Sequence, residues 1–336
     1  MNRDIISRAA KVLLHDHLDG GVRASTLLEI VDDTDRAAAE EIVARGAVTS
    51  GSLEEYLSVF PIVTRALQNE ERLRRVAYET GTDLLSDNVI YAEIRFAPEL
   101  HTGGGLDLVS VLRAVDAGLT ESGLAFGLIV SSMRNTTDSD RAARAAIEAR
   151  DAGIAVVGFD LAGPERGHRA SRHLPAIRRV LDAGLGVTIH AGEGDGPASV
   201  RDARSSGAQR IGHGVRLDEE RGPGAISEEL LEAGVPLEIC PSSNLHTGMY
   251  HTLSEHPVDR LLKYGHKVTI STDNRFVSRT TLSDELLAVA ETFGWGLPEL
   301  RTVLVNAAEA TFLPEEDRSW LRDKTLQGLT ADNGPH

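Results

Sequence analysis

Three histidines and one aspartate stand where a folded sheet could gather them around a metal ion. His15 and His17 end the first predicted strand, His190 ends the fifth, and Asp273 follows the eighth. Side chains two residues apart on a strand point the same way, so His15 and His17 can face one atom. Imidazoles with a carboxylate and no thiolate suit Zn²⁺ with an open position for water, although iron or cobalt could use the same ligands. The alternative is that these histidines make unrelated hydrogen bonds, but their shared placement at strand ends argues against it.

Two further residues near this set could move protons. Glu193 follows His190 by three residues, close enough to reach the reaction centre without binding the metal. It is a candidate proton donor whose pKa would rise if it were desolvated, although most glutamates are simply solvated. His213 lies between two glycines at the end of the sixth predicted strand. It could be a fourth nitrogen ligand or a base beside the attacking water.

The number of metal ions is also predictable. Barrel hydrolases with two metals commonly bridge them with a modified lysine near the middle of the barrel. Here the fourth predicted strand ends in residues 157–163 (VGFDLAG), which contain no lysine. The sequence therefore favours one Zn²⁺ per chain.

Short apolar runs recur along the whole chain and predict the strands that carry these residues. Between them lie amphipathic stretches, such as Leu106–Ser122 and Asp138–Ala152, that have the pattern of helices. Near-continuous apolar strands that alternate with helices are typical of a parallel sheet in an α/β protein. The eight predicted strands are Lys11–His17, Val89–Phe96, Ala125–Ser131, Ile154–Asp160, Leu185–His190, Ala208–His213, Val235–Cys240 and Lys267–Thr272.

Eight strands make a (β/α)₈ TIM barrel the leading prediction, ahead of an open doubly wound sheet. In such a barrel the carboxyl ends of all strands meet on one face, where active sites lie. The segment Thr26–Glu79 is too long for one crossover helix, so we expect extra helices inserted after the first strand, over one end of the barrel. We predict a single barrel domain over residues 1–324 and a disordered tail over residues 325–336.

Composition excludes several classes of protein. The 336 residues carry 35 Lys and Arg against 51 Asp and Glu, a net charge of −16, which argues against binding of a nucleic-acid backbone. The single cysteine, Cys240, cannot form an internal disulfide and is expected to be a small buried side chain. The chain start has no apolar leader and no long apolar run follows, so we expect no membrane insertion and a cytoplasmic location. Both a monomer and a homo-oligomer stay open.

The motifs, taken in order, resemble those of the adenosine deaminases. They extend from His15 to Asp273, most of the chain, and each alone is weak while the ordered set is specific. A segment after the seventh predicted strand, residues 240–244 (CPSSN), is also similar to the family. The matching motifs are residues 15–20 (HDHLDG), 160–163 (DLAG), 190–193 (HAGE), 211–214 (IGHG) and 271–273 (STD).

The resemblance implies a zinc-dependent barrel enzyme of purine salvage. The implied reaction is hydrolytic removal of the 6-amino group of adenosine or 2′-deoxyadenosine, which gives inosine or 2′-deoxyinosine and ammonia. The implied metal ligands are His15, His17, His190 and Asp273. By the same resemblance, Glu193 protonates purine N1, and His213, with Asp273 nearby, orients the attacking water and helps to deprotonate it. His17, Asp19, Gly163 and Asn274 are the implied substrate-binding residues.

Three positions bear on the substrate. The resemblance implies that Asp19 bonds the ribose 5′-hydroxyl, which favours a nucleoside over free adenine, although a carboxylate here could also be a backbone cap. Gly163 would offer its N–H to purine N3, but Pro164 after it departs from the family pattern. Asn274 stands where the family often has a second aspartate. An asparagine amide always carries N–H donors, so we expect Asn274 to donate to purine N7, which is an acceptor.

One further segment resembles the helix over the pocket mouth in this family. In residues 52–60 (SLEEYLSVF), the side chains of Leu53, Tyr56, Leu57 and Phe60 share one helical face. They could gate the site or simply pack in the core. The remaining histidines match no ligand position and are expected on the surface or in loops: His101, His168, His173, His246, His251, His256, His266 and His336.

Two other functions compete with adenosine deamination. The same mechanism could act on another 6-aminopurine, such as adenine, a futalosine-type intermediate or a nucleoside antibiotic precursor. Alternatively, the scaffold could bind a nucleoside or zinc without catalysis. Glu193 argues against a pure binding protein, which has no need of a proton donor.

Overall fold

Eight parallel strands form one sheet in the order of the chain, β1 to β8. This computed structural model describes residues 2–45, 50–220, 222 and 224–330. A bridge between Asp16 and Asp273 joins the ends of the first and last strands, where the N–H of Asp273 donates to the His15 carbonyl at 2.9 Å. The strands are β1 (Lys11–His17), β2 (Val89–Phe96), β3 (Phe126–Met133), β4 (Val156–Ala162), β5 (Gly186–Ala191), β6 (Arg210–His213), β7 (Leu237–Ile239) and β8 (Val268–Ile270).

Helices follow the strands and complete the (β/α)₈ architecture. In the helix Leu108–Ser122, for example, the side chain of the preceding Asp107 caps the first turn by accepting from the N–H of Ser110. The following Gly123 ends the helix in a left-handed conformation with φ 81°. The helices are α1 (Arg3–Arg8), α2 (Ala24–Ile30), α3 (Arg36–Arg45), α4 (Leu53–Leu57), α5 (Phe60–Ala66), α6 (Glu70–Ser86), α7 (Leu108–Ser122), α8 (Ser139–Asp151), α9 (Leu174–Asp182), α10 (Pro197–Ser206), α11 (Ile226–Glu232), α12 (Pro241–His246), α13 (Val258–Tyr264), α14 (Arg275–Ser278), α15 (Leu282–Phe293), α16 (Leu297–Glu309) and α17 (Glu315–Thr330).

The predicted TIM barrel is confirmed, and the alternative of an open doubly wound sheet is wrong. The bounds of β1 and β2 agree with the sequence pattern residue for residue, and β3 to β5 are shifted by one or two residues. The last two strands are only three residues long, shorter than their apolar runs. Those runs include residues beyond the strands, such as the buried Cys240 and the exposed Lys267, so the apolar pattern alone overstated the length of these strands.

Helices α2 to α6 follow β1, as the long segment before the second strand predicted. The expected single helix over residues 52–60 is wrong, because α4 ends at Leu57 and α5 begins at Phe60. Pro61 explains the break, since its ring would clash with the carbonyl of Leu57 in a continuous helix. Ser52 caps α4 by accepting from the N–H of Glu55.

The expectation of a disordered tail over residues 325–336 is wrong for residues 325–330, which belong to α17. Thr325 is fully buried, and a Cβ added at Gly328 would lie 3.0 Å from the backbone nitrogen of Ala10. The helix therefore packs against the start of β1, which the polar composition of this segment did not reveal. Residues 331–336 lie outside the described part of the chain.

Most apolar side chains lie in one continuous core between the strands and the outer helices. At the amino-terminal end of the barrel, the guanidinium of Arg210 bonds Glu93 and Glu238 and lies 3.7 Å from the ring centre of Phe312. This end is thus filled by paired charges and an aromatic ring. Among the described residues, no helix is both long enough and apolar enough to cross a bilayer.

Candidate active site

The carboxyl ends of β1, β5, β6 and β8 bring the predicted ligands together. Nε2 of His17 lies 3.3 Å from Nε2 of His190 and 3.3 Å from Oδ1 of Asp273. Nε2 of His15 lies 3.5 Å from the same Asp273 oxygen. Residues from opposite sides of the barrel therefore point single ligand atoms at one small volume.

This cluster fits a metal ion. One atom from each of His15, His190, His213 and Asp273 can be chosen so that all four lie within 4.8 Å of one another. Nε2 of His15 is buried and makes no hydrogen bond with any described residue, as expected for a ligand atom aimed at a cation. Burial lowers the pKa of His17 and of His213 well below the usual range, so both imidazoles are neutral, which is the form of histidine that binds a metal.

The distances leave two arrangements of ligands. The group of four whose ligand atoms all lie within 4.8 Å of one another contains His213, whereas the sequence motifs select His17 in its place. His17 is nonetheless within 3.3 Å of two members of the group. All five side chains thus surround the same centre, and the hydrogen bond between Nδ1 of His213 and Asn244 favours His17 as the third imidazole ligand.

Residues that the sequence did not single out hold the ligands in place. Nδ1 of His15 bonds Oε2 of Glu238 at 3.0 Å, and Ser243 donates to Oδ2 of Asp273 at 2.5 Å. Such partners fix the tautomer and direction of a metal ligand. Glu238 had a signal in the sequence, because it is a charged residue inside an otherwise apolar strand. Its partner could only be identified from the structure.

A chain of hydrogen bonds also orients His213. Its Nδ1 lies 3.2 Å from Nδ2 of Asn244, whose Oδ1 lies 3.2 Å from Nε2 of His256. Asn244 donates through its amide nitrogen, so Nδ1 of His213 accepts and Nε2 carries the proton in the neutral ring. The Nε2 side faces Glu193, with 3.5 Å to its Oε2.

Glu193 is buried at the wall of the site, with 5% of its surface exposed. Its Oε1 is buried and makes no hydrogen bond with any described residue. Burial, together with the charges of Asp273 and Glu165, raises the pKa of Glu193 well above its usual range. A protonated carboxyl group is therefore favoured, and it has an unused position from which to donate a proton.

Two site residues have an unusual backbone conformation. His213 has φ 63° and Asp273 has φ 58°, in the left-handed region that residues other than glycine rarely adopt. The glycines beside His213 permit close packing, since a Cβ at Gly212 would lie 3.1 Å from the Cα of His190. Such strain clusters at functional sites, where the surrounding fold holds it in place.

A cavity of about 340 Å³ leads to this cluster. Its outer wall is apolar and comes largely from α4 and α5, and the four side chains predicted to share one helical face all line it. Among the described residues that line it, none is Lys or Arg. The wall includes Leu53, Tyr56, Leu57, Phe60, Leu100 and Met133.

The predicted substrate-binding residues line the same cavity. Asp19 is nearly buried, and burial raises its pKa to about 6. Gly163 has φ 89°, which a side chain would disfavour, and a Cβ there would lie 2.7 Å from Cε of Met133. The side chain of Asn274 packs directly against Gly20, and any larger residue there would clash with it, because a Cβ on Gly20 would lie 2.0 Å from Oδ1 of Asn274.

Not all the remaining histidines are where the sequence analysis expected them. His168, His246 and His251 are partly or fully exposed, and His336 lies outside the described residues. The expectation of a surface or loop position is wrong for His101 and His173, which are buried in short helical turns. His256 and His266 do lie in loops, but they are buried and bond neighbours in the interior. Cys240 is fully buried and free, as expected.

Comparison with known proteins gives the family. The family model described as Adenosine deaminase matches residues 10–327. Proteins named adenosine deaminase from Mycolicibacterium gilvum and Mycobacteroides abscessus are 43% and 41% identical, over 96% of this chain and 95% of each relative. The crystal structure of an Arabidopsis N6-mAMP deaminase is 27% identical with a TM-score of 0.86, over 96% of this chain and 99% of that one. The chain thus belongs to the adenosine deaminase family.

Proposed function

We propose that the protein hydrolyses adenosine and 2′-deoxyadenosine to inosine or 2′-deoxyinosine and ammonia, with one Zn²⁺ per chain. The observation that carries the proposal is the buried carboxyl group of Glu193 beside the histidine and aspartate cluster, at the inner end of the cavity. Relatives that are named adenosine deaminase and are more than 40% identical support the choice of substrate.

The proposed zinc ligands are His15, His17, His190 and Asp273. Zinc held there would supply a Lewis acid that brings the pKa of a bound water towards ~7. Asp160, Glu238 and Ser243 hold His190, His15 and Asp273 in the required direction. No cysteine or lysine is part of the cluster, which suits a single borderline ion.

The proton movements follow from the environments of two residues. Glu193, protonated because it is buried, donates to purine N1, so that charge does not build up on the ring as water adds at C6. His213 is neutral because burial lowers its pKa, and Asn244 fixes its orientation towards the centre. We propose that it positions the attacking water by donating its Nε2–H to it, and that the carboxylate of Asp273 takes up the proton of the water.

The lining of the cavity favours a nucleoside over a nucleotide. Asp19 would accept from the ribose 5′-hydroxyl, Gly163 would donate its N–H to N3, and Asn274 would donate to N7. No Lys or Arg is among the described lining residues, so a 5′-phosphate would have no cation to pair with. It would instead meet the carboxylate of Asp19, which lines the cavity.

A substrate screen tests the proposal. Zinc-loaded protein is mixed with adenosine, 2′-deoxyadenosine, AMP and adenine, and ammonia release is measured with and without a chelator. We expect turnover of both nucleosides, at least about 100-fold weaker kcat/KM with AMP and adenine, and loss of activity with the chelator. Preference for adenine or AMP would contradict the substrate assignment, and no ammonia from any of them would favour a binding protein.

A cytoplasmic location stays a prediction, and the oligomeric state stays open. Metal analysis of the purified protein would also test the proposal of one zinc ion per chain. A ratio near two, or iron in place of zinc, would contradict it.

A further inference from the structure

A buried carboxylate outside the cavity holds the turn that carries Glu193. Glu165, 3% exposed, follows β4 and accepts hydrogen bonds from three backbone N–H groups of the neighbouring turn after β5. The nitrogen atoms of Gly192 and Glu193 lie 2.7 and 3.0 Å from its oxygens, and that of Asp195 lies 3.1 Å away. One side chain thus accepts from three backbone N–H groups within four residues of this turn.

The other end of the same segment is held by a buried cation. Arg134, 2% exposed, donates from Nη1 to the carbonyl of His190 at 2.9 Å. Its own carbonyl lies 3.0 Å from Nε2 of His173, so the arginine is fixed in turn. Residues after β3 and β4 therefore clamp the chain on both sides of Glu193.

We infer that Glu165 is a positioning residue for deamination, and that it acts by fixing the backbone of the turn that carries the proton donor. The inference rests on the role proposed for Glu193. Glu165 does not line the cavity and touches no reacting atom, so its effect passes through the turn. Displacing a reacting group by about 1 Å can cost ~100-fold in rate, so loss of these bonds affects the chemical step more than substrate binding.

The structure requires a carboxylate at this position. A carboxylate has two acceptor oxygens, which together can accept all three N–H groups. A glutamine amide would instead place its own N–H₂ donors opposite one or more of these N–H groups. Gly192 lies close against Val200 in this turn, because its φ of 73° is left-handed and a Cβ there would lie 2.7 Å from Cγ2 of Val200.

Hydrogen exchange tests the positioning without reference to activity. In the zinc-loaded full-length protein, Glu165→Gln should speed amide exchange in residues 191–196 by about tenfold or more, since local opening becomes easier. Asp116→Asn is the matched control, because Asp116 also accepts a backbone N–H, that of Ala155 at 3.0 Å, next to the start of β4 at the far end of the barrel. Unchanged exchange in Glu165→Gln would overturn the inference, even if the wild-type protein proved inactive on adenosine.

Kinetics test whether Glu165 acts through Glu193. We expect Glu165→Gln to lower kcat by about 10–100-fold per zinc-loaded site with KM within about threefold of the wild-type value, and Glu165→Asp to recover part of the loss. In a Glu193→Gln background, the same change should cost no more than about twofold, because the group it positions is gone. Additive losses, or a loss of activity that a smaller fraction of folded protein fully explains, would show a merely structural role.

Discussion

Both carboxylate oxygens of Asp160 lie 3.0 Å from Nδ1 of His190. The aspartate is fully buried at the end of β4, next to the strand that carries the histidine. This contact keeps the proton of the imidazole on Nδ1 and leaves the Nε2 lone pair directed at the metal-binding cluster. Asp160, which is not itself a proposed ligand, thus sets whether His190 can act as one.

Asp160→Asn should therefore weaken metal binding. We expect about a 10–100-fold loss of zinc affinity, because the amide no longer favours one tautomer of His190. The measurement is the zinc retained during titration with a competing chelator. Asp87→Asn serves as the control, since Asp87 accepts the N–H of Ser283 at 3.0 Å outside the site. Equal affinity in the two variants would contradict the proposed role.

Glu193→Gln should remove the proton donor and leave the pocket shape unchanged. General acids of this kind typically contribute ~100- to 10,000-fold, so we expect kcat to fall within that range. Zinc content should stay at the wild-type level, because Glu193 is not among the proposed ligands. The check is steady-state kinetics on adenosine with metal analysis of the same sample. A variant that keeps most of its kcat would show that the proton at N1 comes from elsewhere.

Asn274→Ala should discriminate between two nucleosides. If the amide donates to purine N7, removal of one hydrogen bond should lower kcat/KM for adenosine by about 3–10-fold. For 7-deazaadenosine, which lacks the N7 acceptor, we expect little change. Comparison of kcat/KM for the two substrates provides the measurement, and equal losses on both would contradict the N7 contact. Asn274→Asp should retain part of the function only where the carboxyl group is protonated.

His101 should make the stability of the protein depend on acid pH. It is fully buried, its Nδ1 lies 3.0 Å from the Leu67 carbonyl, and burial lowers its pKa to about 4. The unfolded chain binds this proton near pH 6.5, so the contribution is present above that pH and is lost as pH falls towards 4.

His101→Asn should remove this titration. The wild-type advantage in the free energy of unfolding should shrink by an amount on the order of 3 kcal/mol between pH 7 and pH 4. Urea denaturation at several pH values would measure it, with His251→Asn as an exposed control. A constant difference across this range would mean that His101 takes up its proton in the folded state as readily as in the unfolded chain.

The sequence by itself determined the barrel and led to the proposed set of metal ligands. Apolar runs identified all eight strands because a buried parallel strand is hydrophobic on both faces, and this signal is local. His15, His190 and Asp273 could be placed together because strand ends of a barrel share one face. The ordered motifs then indicated the family, which the comparisons confirmed.

Only the tertiary structure decided which residues support the site. Asp160, Glu165 and Glu238 bond partners on or just after other strands, and no spacing along the chain encodes which carboxylate faces which donor. For the same reason, His101 and His173, expected on the surface or in loops, are buried in short helical turns. A polar side chain needs a hydrogen-bond partner wherever it lies. The packing of distant elements decides whether that partner is inside the core or at the surface, and the sequence does not show that packing.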